Sequence, residues 1–268
     1  MFDSHCHLDR IPHRPDAALA RARTAGVKQF LIAGVEPAQW RSALLWAQPG
    51  VFLSFGLHPW WVSEHPMDVE EATANLELFL AEHRPQTHAI GETGLDFRRA
   101  TGSTIQDAQR CSFERHIAAA RRLELPIVLH VVNAHTEALR MLRSCELPAK
   151  RGVVHSFSGS AETAAEYNRL GFRISFSGAI THPKRHKLHR AAASVPDDMM
   201  LVETDSPDQT PWERHPAPNE PAFLIDVISR MAILRDQSPE EIARITTENA
   251  LRLFECDERR ELQTAPTI

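Results

Sequence analysis

Within its first seven residues the chain reads Asp3-Ser4-His5-Cys6-His7. Two histidines one residue apart point the same way if the segment is extended, because successive strand side chains alternate faces. Paired imidazoles are the beginning of a metal site, which needs three or four ligands. The remaining ligands must come from elsewhere in a chain that holds 15 histidines and one tyrosine. Imidazole is the commonest metal ligand and an acid/base that titrates near neutrality, so every histidine position bears on function.

The other candidates stand at the ends of short apolar runs. They are His58 in Gly56-Leu57-His58-Pro59-Trp60, Glu92 in Gly91-Glu92-Thr93-Gly94, and His130 in Ile127-Val128-Leu129-His130. His155 follows in Val153-Val154-His155-Ser156, and Asp205 in Glu203-Thr204-Asp205-Ser206-Pro207. Nitrogen and oxygen donors without sulfur suit a hydrolytic divalent cation. Four of these five histidines with Glu92 and Asp205 already exceed one tetrahedral site. They match two ions roughly 3.5–4 Å apart that share a carboxylate. Glu92 is the natural bridge, because it ends the strand between the two histidine groups. Zinc, magnesium, manganese and nickel all accept such ligands, and availability decides among them.

The elements that must position these residues alternate without a break. Strands are expected at Phe2–Leu8, Gln29–Ala33, Val51–Leu57, Thr87–Gly91, Pro126–Val131, Gly152–Ser156, Phe172–Phe176 and Met199–Thr204. Helices are expected at Asp16–Ala25, Pro37–Ala47, Asp68–His83, Thr104–Leu123, Thr136–Arg143, Ala161–Leu170, Lys184–Ser194, Pro221–Arg235 and Pro239–Phe254. Repeated strand–helix units predict a parallel sheet, and eight of them a closed (β/α)8 TIM barrel. In that fold functional residues sit at the C-terminal strand ends, where the candidates fall. Strand parity puts Asp3, His5 and His7 on one face, with Glu203 and Asp205 sharing the inward face of strand eight. Cys6 then points toward the helices as a small buried thiol. The Pro-rich stretch Asp208–Pro221 reads as a structured active-site loop.

The length of 268 residues suits one large α/β barrel or two small domains, and the unbroken series of units points to one barrel domain over 1–256 with a flexible polar tail over 257–268. A formal net charge of -5 argues against a long basic groove for duplex nucleic acid. No apolar run reaches the ~18 residues of a membrane span, and no secretory leader is visible. Four scattered cysteines lack C-x-x-C spacing, which fits a reducing, cytoplasmic setting.

Taken in order, several segments resemble the TatD family of metal-dependent deoxyribonucleases, of the amidohydrolase superfamily. They are Asp-Ser-His-Cys-His-Leu-Asp, Gly-Leu-His-Pro, Gly-Glu-Thr-Gly-Leu-Asp, the strand-five histidine, His-Ser-Phe-Ser-Gly-Ser, Glu-Thr-Asp-Ser-Pro and the closing Thr247–Phe254. The resemblance spans nearly the whole chain. It implies a TIM barrel, and metal ligands at His5, His7, Glu92, His130, His155 and Asp205. By that analogy one metal takes His5, His7, Glu92 and Asp205, and the other Glu92, His130 and His155. It also implies hydrolysis of DNA phosphodiesters, often from the 3′ end, by a water that two divalent ions activate and Asp205 deprotonates as catalytic base. Asp3 and Glu203 would orient imidazoles, and His58 would hold a phosphate oxygen as a substrate-binding residue. One departure stands out. Val131-Val132-Asn133 replaces the family's usual polar and basic run after the strand-five histidine, so a phosphate or leaving-group contact is missing unless Asn133 partly replaces it.

Other residues have plainer readings. His186-Lys187-Leu188-His189 is read as surface, as are His13, His65, His83, His88, His116, His135, His182 and His215. Arg98, Arg99, Lys184, Arg185 and Arg214 are read as solvated charge near the mouth. Trp60 and Trp61 serve equally as base-stacking platforms or as packing. Beside the nuclease stands a hydrolase of a non-nucleic-acid ester, lactone, amide or aminoacyl ester, since fold and metals do not fix the substrate. A third possibility, a binding protein with purely structural metals, fits poorly with an intact general base. No membrane and no obligate protein partner are expected.

Overall fold

The computed structural model describes residues 1–12 and 14–254, so His13 and the tail from 257 lie outside the described residues. Eight strands follow one another: β1 (Phe2–Cys6), β2 (Gln29–Gly34), β3 (Val51–Phe55), β4 (Ala89–Asp96), β5 (Ile127–Val132), β6 (Gly152–Val154), β7 (Arg173–Phe176) and β8 (Met200–Val202). They pair in chain order, every pair parallel. The helices are α1 (Pro15–Thr24), α2 (Pro37–Ala43), α3 (Pro59–Glu64), α4 (Val69–Glu82), α5 (Ser103–Arg122), α6 (His135–Ser144), α7 (Ala161–Arg169), α8 (His186–Ser194), α9 (Leu224–Arg235) and α10 (Pro239–Phe254). This is the expected (β/α)8 TIM barrel. No helix among the described residues is long and apolar enough to cross a membrane.

Two apolar layers follow from strand alternation. Phe2, Leu31, Phe52, Ala89, Val128, Val153 and Leu201 meet in one buried cluster inside the barrel. Phe30, Leu53, Phe55, Ile90, Ile127, Leu129 and Ile174 belong to the larger cluster that the outer helices cover. Cys6 lies in that outer layer beside Ala18, Leu19 and Ala22. The last helix closes the barrel floor. Phe254 of α10 stacks on Phe2 at 5.9 Å, and Phe2 meets Phe52 at 5.0 Å.

Closure between the last strand and the first is made just beyond β8. The Asp205 amide donates to the His5 carbonyl (3.0 Å), and the His7 amide donates to the Ser206 carbonyl (2.9 Å). Asp3 completes the seam, its carboxylate accepting from the Thr204 amide (2.8 Å) and hydroxyl (2.6 Å). The bonds that shut the barrel therefore also set Asp205 beside the His5–His7 pair.

Three departures from the sequence reading bear on the site. Strand β4 does not end at Gly91 but runs through Glu92 to Asp96, so Glu92 is internal. Its register against β5 slips between Ile90 and Thr93. The flanking glycines, Gly91 (φ 132°) and Gly94 (φ 136°), permit this, because a Cβ there would meet the Val128 and His130 carbonyl oxygens at 2.5 and 2.2 Å. Helix α3 was not expected. Pro at its first position and His58 as N-cap start it, with the His58 ring accepting from the Trp60 amide. Simple parity also fails in β1, whose register against β2 shifts between Asp3 and Cys6, so Phe2 joins the interior layer.

The floor plug is testable. Replacing fully buried Phe254 with alanine should lower the free energy of unfolding by about 3–5 kcal/mol. Urea denaturation measures this, and a loss below about 1 kcal/mol would contradict the role given to α10.

Candidate metal centre

The seven residues singled out by type and spacing converge on one buried cluster at the C-terminal mouth of the barrel. Glu92 lies at its centre, 1% exposed. Its two oxygens face different partners. Oε1 is 2.6 Å from His155 Nε2, 2.8 Å from His130 Nδ1 and 3.1 Å from His58 Nε2. Oε2 is 3.2 Å from His5 Nε2 and 3.6 Å from His7 Nε2. Asp205 adds Oδ1 at 3.7 Å from His7 Nε2. Asp205 occupies left-handed backbone (φ 57°), which turns its side chain back over the mouth.

Outer groups stand behind three of the rings and bear on which nitrogen faces inward. His130 sets Nε2 3.3 Å from Asp96 Oδ2, and Asp96 also accepts from Trp60 Nε1 at 2.7 Å. Burial opposes ionisation of Asp96, but His130 and Trp60 more than offset it and hold the carboxyl well below its usual range. The Nε2–H of His130 therefore donates outward, leaving Nδ1 toward Glu92. His155 turns Nδ1 to Glu203 Oε1 at 3.3 Å and Nε2 to Glu92. Glu203 is thus placed to orient an imidazole, as expected. Asp3 is not: it binds Thr204 and the barrel seam rather than a ring. His58 is held differently, since its Nδ1 accepts from the Trp60 amide at 3.0 Å. A neutral ring with Nδ1 occupied carries its proton on Nε2, so His58 presents a donor and not a lone pair.

The electrostatics follow from crowding one carboxylate with five rings. Burial would raise the Glu92 pKa, but the His155 and His58 charges and the His130 contact pull it well below the usual value. Burial likewise pushes His155 down, and Glu92 with Glu203 reverses this to well above its ordinary value. His130 and His7 are raised in the same way against burial, by Asp96 with Glu92 and by Asp205 with Glu92. Burial lowers His5, aided by the His155 charge, and takes His58 to about 4. Asp205 is lowered despite burial, chiefly by His7.

The donor set fits divalent cations. His130, its outer nitrogen hydrogen-bonded to Asp96, and His155, whose Nδ1 has the Glu203 carboxylate 3.3 Å behind it but no hydrogen-bond partner, aim their other nitrogens at the Glu92 carboxylate less than 3 Å away. Two acceptors that close require a shared proton or a cation between them. The His5 and His7 Nε2 atoms face each other at 3.2 Å, and both Nδ1 atoms are buried without a hydrogen-bond partner. Four overlapping sets of three ligand atoms lie close enough to hold an ion: His5–Glu92–His155, His5–His7–Asp205, His58–Glu92–His130 and His155–Glu203–Asp205.

Several positioning residues were missed. On the buried face of α5, Gln109 accepts from the Asp96 amide (2.9 Å) and donates to the Pro59 carbonyl (3.1 Å). Two turns further, His116 Nε2 accepts from the Leu57 amide (3.0 Å), next to His58. The spacing 109, 112, 116 beside apolar Phe113 and Ile117 marks them as an inward helical stripe. His116 is accordingly a buried residue and not a surface one. So are His88, which accepts from the Leu53 amide, and His189, which bonds the Ile180 carbonyl.

The cleft over the cluster has a volume of about 550 Å³. Arg10, Arg98, Lys184, Arg185 and Lys187 line it, so much of the charge read as ordinary surface faces the site. Arg214 instead pairs with Asp226, and Arg99 covers the Trp60 ring at 3.6 Å. Trp60 is thereby committed to packing, and Trp61 stacks on His65. Val131, Val132 and Phe157 give the cleft an apolar wall. Asn133 is exposed, with φ 54°, and does not line it, so the compensating contact considered for Asn133 is not made.

Comparison with known proteins follows the same pattern. A family described as TatD related DNase matches residues 2–255. The uncharacterized metal-dependent hydrolase YcfH of Escherichia coli strain K12 is 37% identical over 267 residues, 97% of each chain. The 3'-5' ssDNA/RNA exonuclease TatD of Musicola paradisiaca is 34% identical, over 97% of this chain and 100% of its own. The crystal structure of YjjV, a TatD homolog from Escherichia coli K12, superposes with a TM-score of 0.86 at 31% identity, covering 95% of this chain and 97% of that one.

His116 supplies a pH test. Burial pushes its pKa down to about 4 from an ordinary value of 6.5, and its neutral Nε2 is required as an acceptor. The unfolded ring gains a proton below 6.5 while the folded ring resists until about 4. This stability contribution is complete above pH 6.5 and is lost progressively as pH falls toward 4. Histidine NMR at pH 5 should find the His116 ring neutral, and a protonated ring there would refute its buried acceptor role.

Proposed function

We propose a function from one premise: this chain belongs to the TatD-related DNase family of metal-dependent hydrolases. The proposal is a phosphodiesterase that removes nucleotides from the 3′ end of single-stranded DNA or RNA. The carrying observation is the division of labour on Glu92, whose two oxygens address two separate groups of imidazoles. That geometry supports two divalent ions. His5, His7, Glu92 and Asp205 would hold one, and Glu92, His130 and His155 the other. The substrate class is supported by the full-length relative named as a 3'-5' ssDNA/RNA exonuclease, and by basic residues around the cleft.

When bound, divalent ions at such a site polarise a phosphoryl oxygen and lower the pKa of water. The chain's own groups divide the remaining work. Asp205, ionised and at the mouth, takes a proton from the water whose oxygen bonds to phosphorus, as the bond from phosphorus to the 3′ oxygen of the shortened strand breaks and that oxygen gains a proton from solvent. His58 offers its Nε2–H to a non-bridging phosphate oxygen, a role its fixed tautomer suits. Asp96 and Glu203 keep His130 and His155 turned inward.

One observation favours a second reading. The apolar wall of Val131, Val132 and Phe157 would accept the hydrocarbon part of a carboxylic ester as readily as a sugar. Metal-loaded protein should be given 3′-free and 3′-blocked oligonucleotides beside a panel of esters and amides. Release of 3′ nucleotides that drops about 10²–10⁴-fold in Asp205→Asn is expected. Rapid ester turnover with inert oligonucleotides would establish the second reading instead. Independently of activity, Asp96→Asn should weaken metal binding about 10–100-fold in competition with a chromogenic chelator. Unchanged affinity would remove Asp96 from the site.

A further inference from the structure

A second, smaller cavity of about 290 Å³ opens on the same end of the barrel. It shares Ala179, Arg185, Asp208 and Gln209 with the metal cleft, so the two form one continuous trough. Trp212, 49% exposed, lines this cavity but not the metal cleft. An indole left half in water loses hydrophobic stabilisation, yet the loop that carries it is fastened down. The Trp212 amide donates to Thr181 Oγ1 at 2.7 Å. Asn219 Nδ2 ties the loop to the carbonyls of Thr204 (2.8 Å) and Asp208 (2.5 Å), and Arg214 pins it to Asp226. The chain also presses onto Gly178, where a Cβ would come within 1.9 Å of the Gln209 carbonyl oxygen. His182 leans on the ring at 4.2 Å and 62°, leaving half of the residue open.

Arg185 lines both the cavity that holds this indole and the cleft over the metal cluster, and it forms no ion pair among the described residues. Lys184 and Lys187 lie beside it in the cleft, and Asp208 is the carboxylate common to both cavities. Cations alternating with a flat aromatic surface suit a single-stranded polynucleotide, whose phosphates and bases alternate in the same way.

We propose that Trp212 is a base-stacking subsite for the nucleotide adjoining the one cleaved, with Arg185 holding a phosphate between the two. The proposal rests on the nuclease reading and adds to it a footprint longer than one nucleotide.

The test uses full-length metal-loaded protein and two fluorescein-labelled phosphorothioate hexamers that resist cleavage, one of thymidine and one abasic. Wild type should bind the thymidine hexamer about tenfold tighter or more by fluorescence anisotropy. Trp212→Ala should reduce that preference to less than about threefold, and Trp212→Phe should retain most of it. Arg185→Ala should weaken both hexamers alike. A circular-dichroism melt matching wild type checks folding of the alanine variant, and the phenylalanine variant carries the test if it does not fold. A base preference unchanged in Trp212→Ala, or absent in wild type, would overturn the subsite. If wild type still releases nucleotides from ordinary DNA in that case, the nuclease reading stands alone. If it releases none and binds neither hexamer, both fall together.

Discussion

A single buried carboxylate organises the upper half of this barrel. Glu92 is shielded from water and surrounded by five imidazoles, a placement that is unfavourable unless positive charge compensates it. Each ring nitrogen that faces it needs a proton or a cation, and for His130 the outer hydrogen bond to Asp96 decides which nitrogen that is, while the Glu203 carboxylate stands 3.3 Å behind His155 Nδ1. The two carboxylate oxygens look in different directions. The rings from β1 therefore gather on one side, and those beyond β3, on β5 and beyond β6 on the other.

The framework exists to keep that arrangement. Barrel closure is made by backbone bonds at His5, Asp205, His7 and Ser206, so one seam both shuts the sheet and sets two site residues side by side. The slip in β4 is tolerated because glycines flank Glu92. Helix α5 turns a polar stripe inward, where Gln109 and His116 hold the backbone at Asp96 and Leu57. Rigid positioning of this sort matters for hydrolysis, because misplacement by about an ångström can cost two orders of magnitude in rate.

Much of this was legible in the sequence. The alternation of short apolar runs and amphipathic segments carries the barrel, and the strand-end rule points to the seven polar residues that meet at its mouth. What escaped was tertiary. The continuation of β4 past Gly91 depends on glycine conformations that look like a strand stop in one dimension. His116 resembled any helical histidine until its apolar neighbours were read as a stripe. The tautomer of His58 and the outward bond of His130 depend on Trp60 and Asp96, contributed by other elements. Lys184 and Arg185 could be placed near the mouth, yet with Lys187 they looked like solvated charge because nothing local indicates that their side chains line the cleft.

The central claim is that Glu92 joins two metal sites into one. Native mass spectrometry of the reconstituted protein beside Glu92→Gln measures this directly. Two divalent ions per chain are expected in the parent, and fewer than one in the variant, because both sites lose a charged ligand together. A parent that saturates at one ion, or a variant that still holds two, would contradict it.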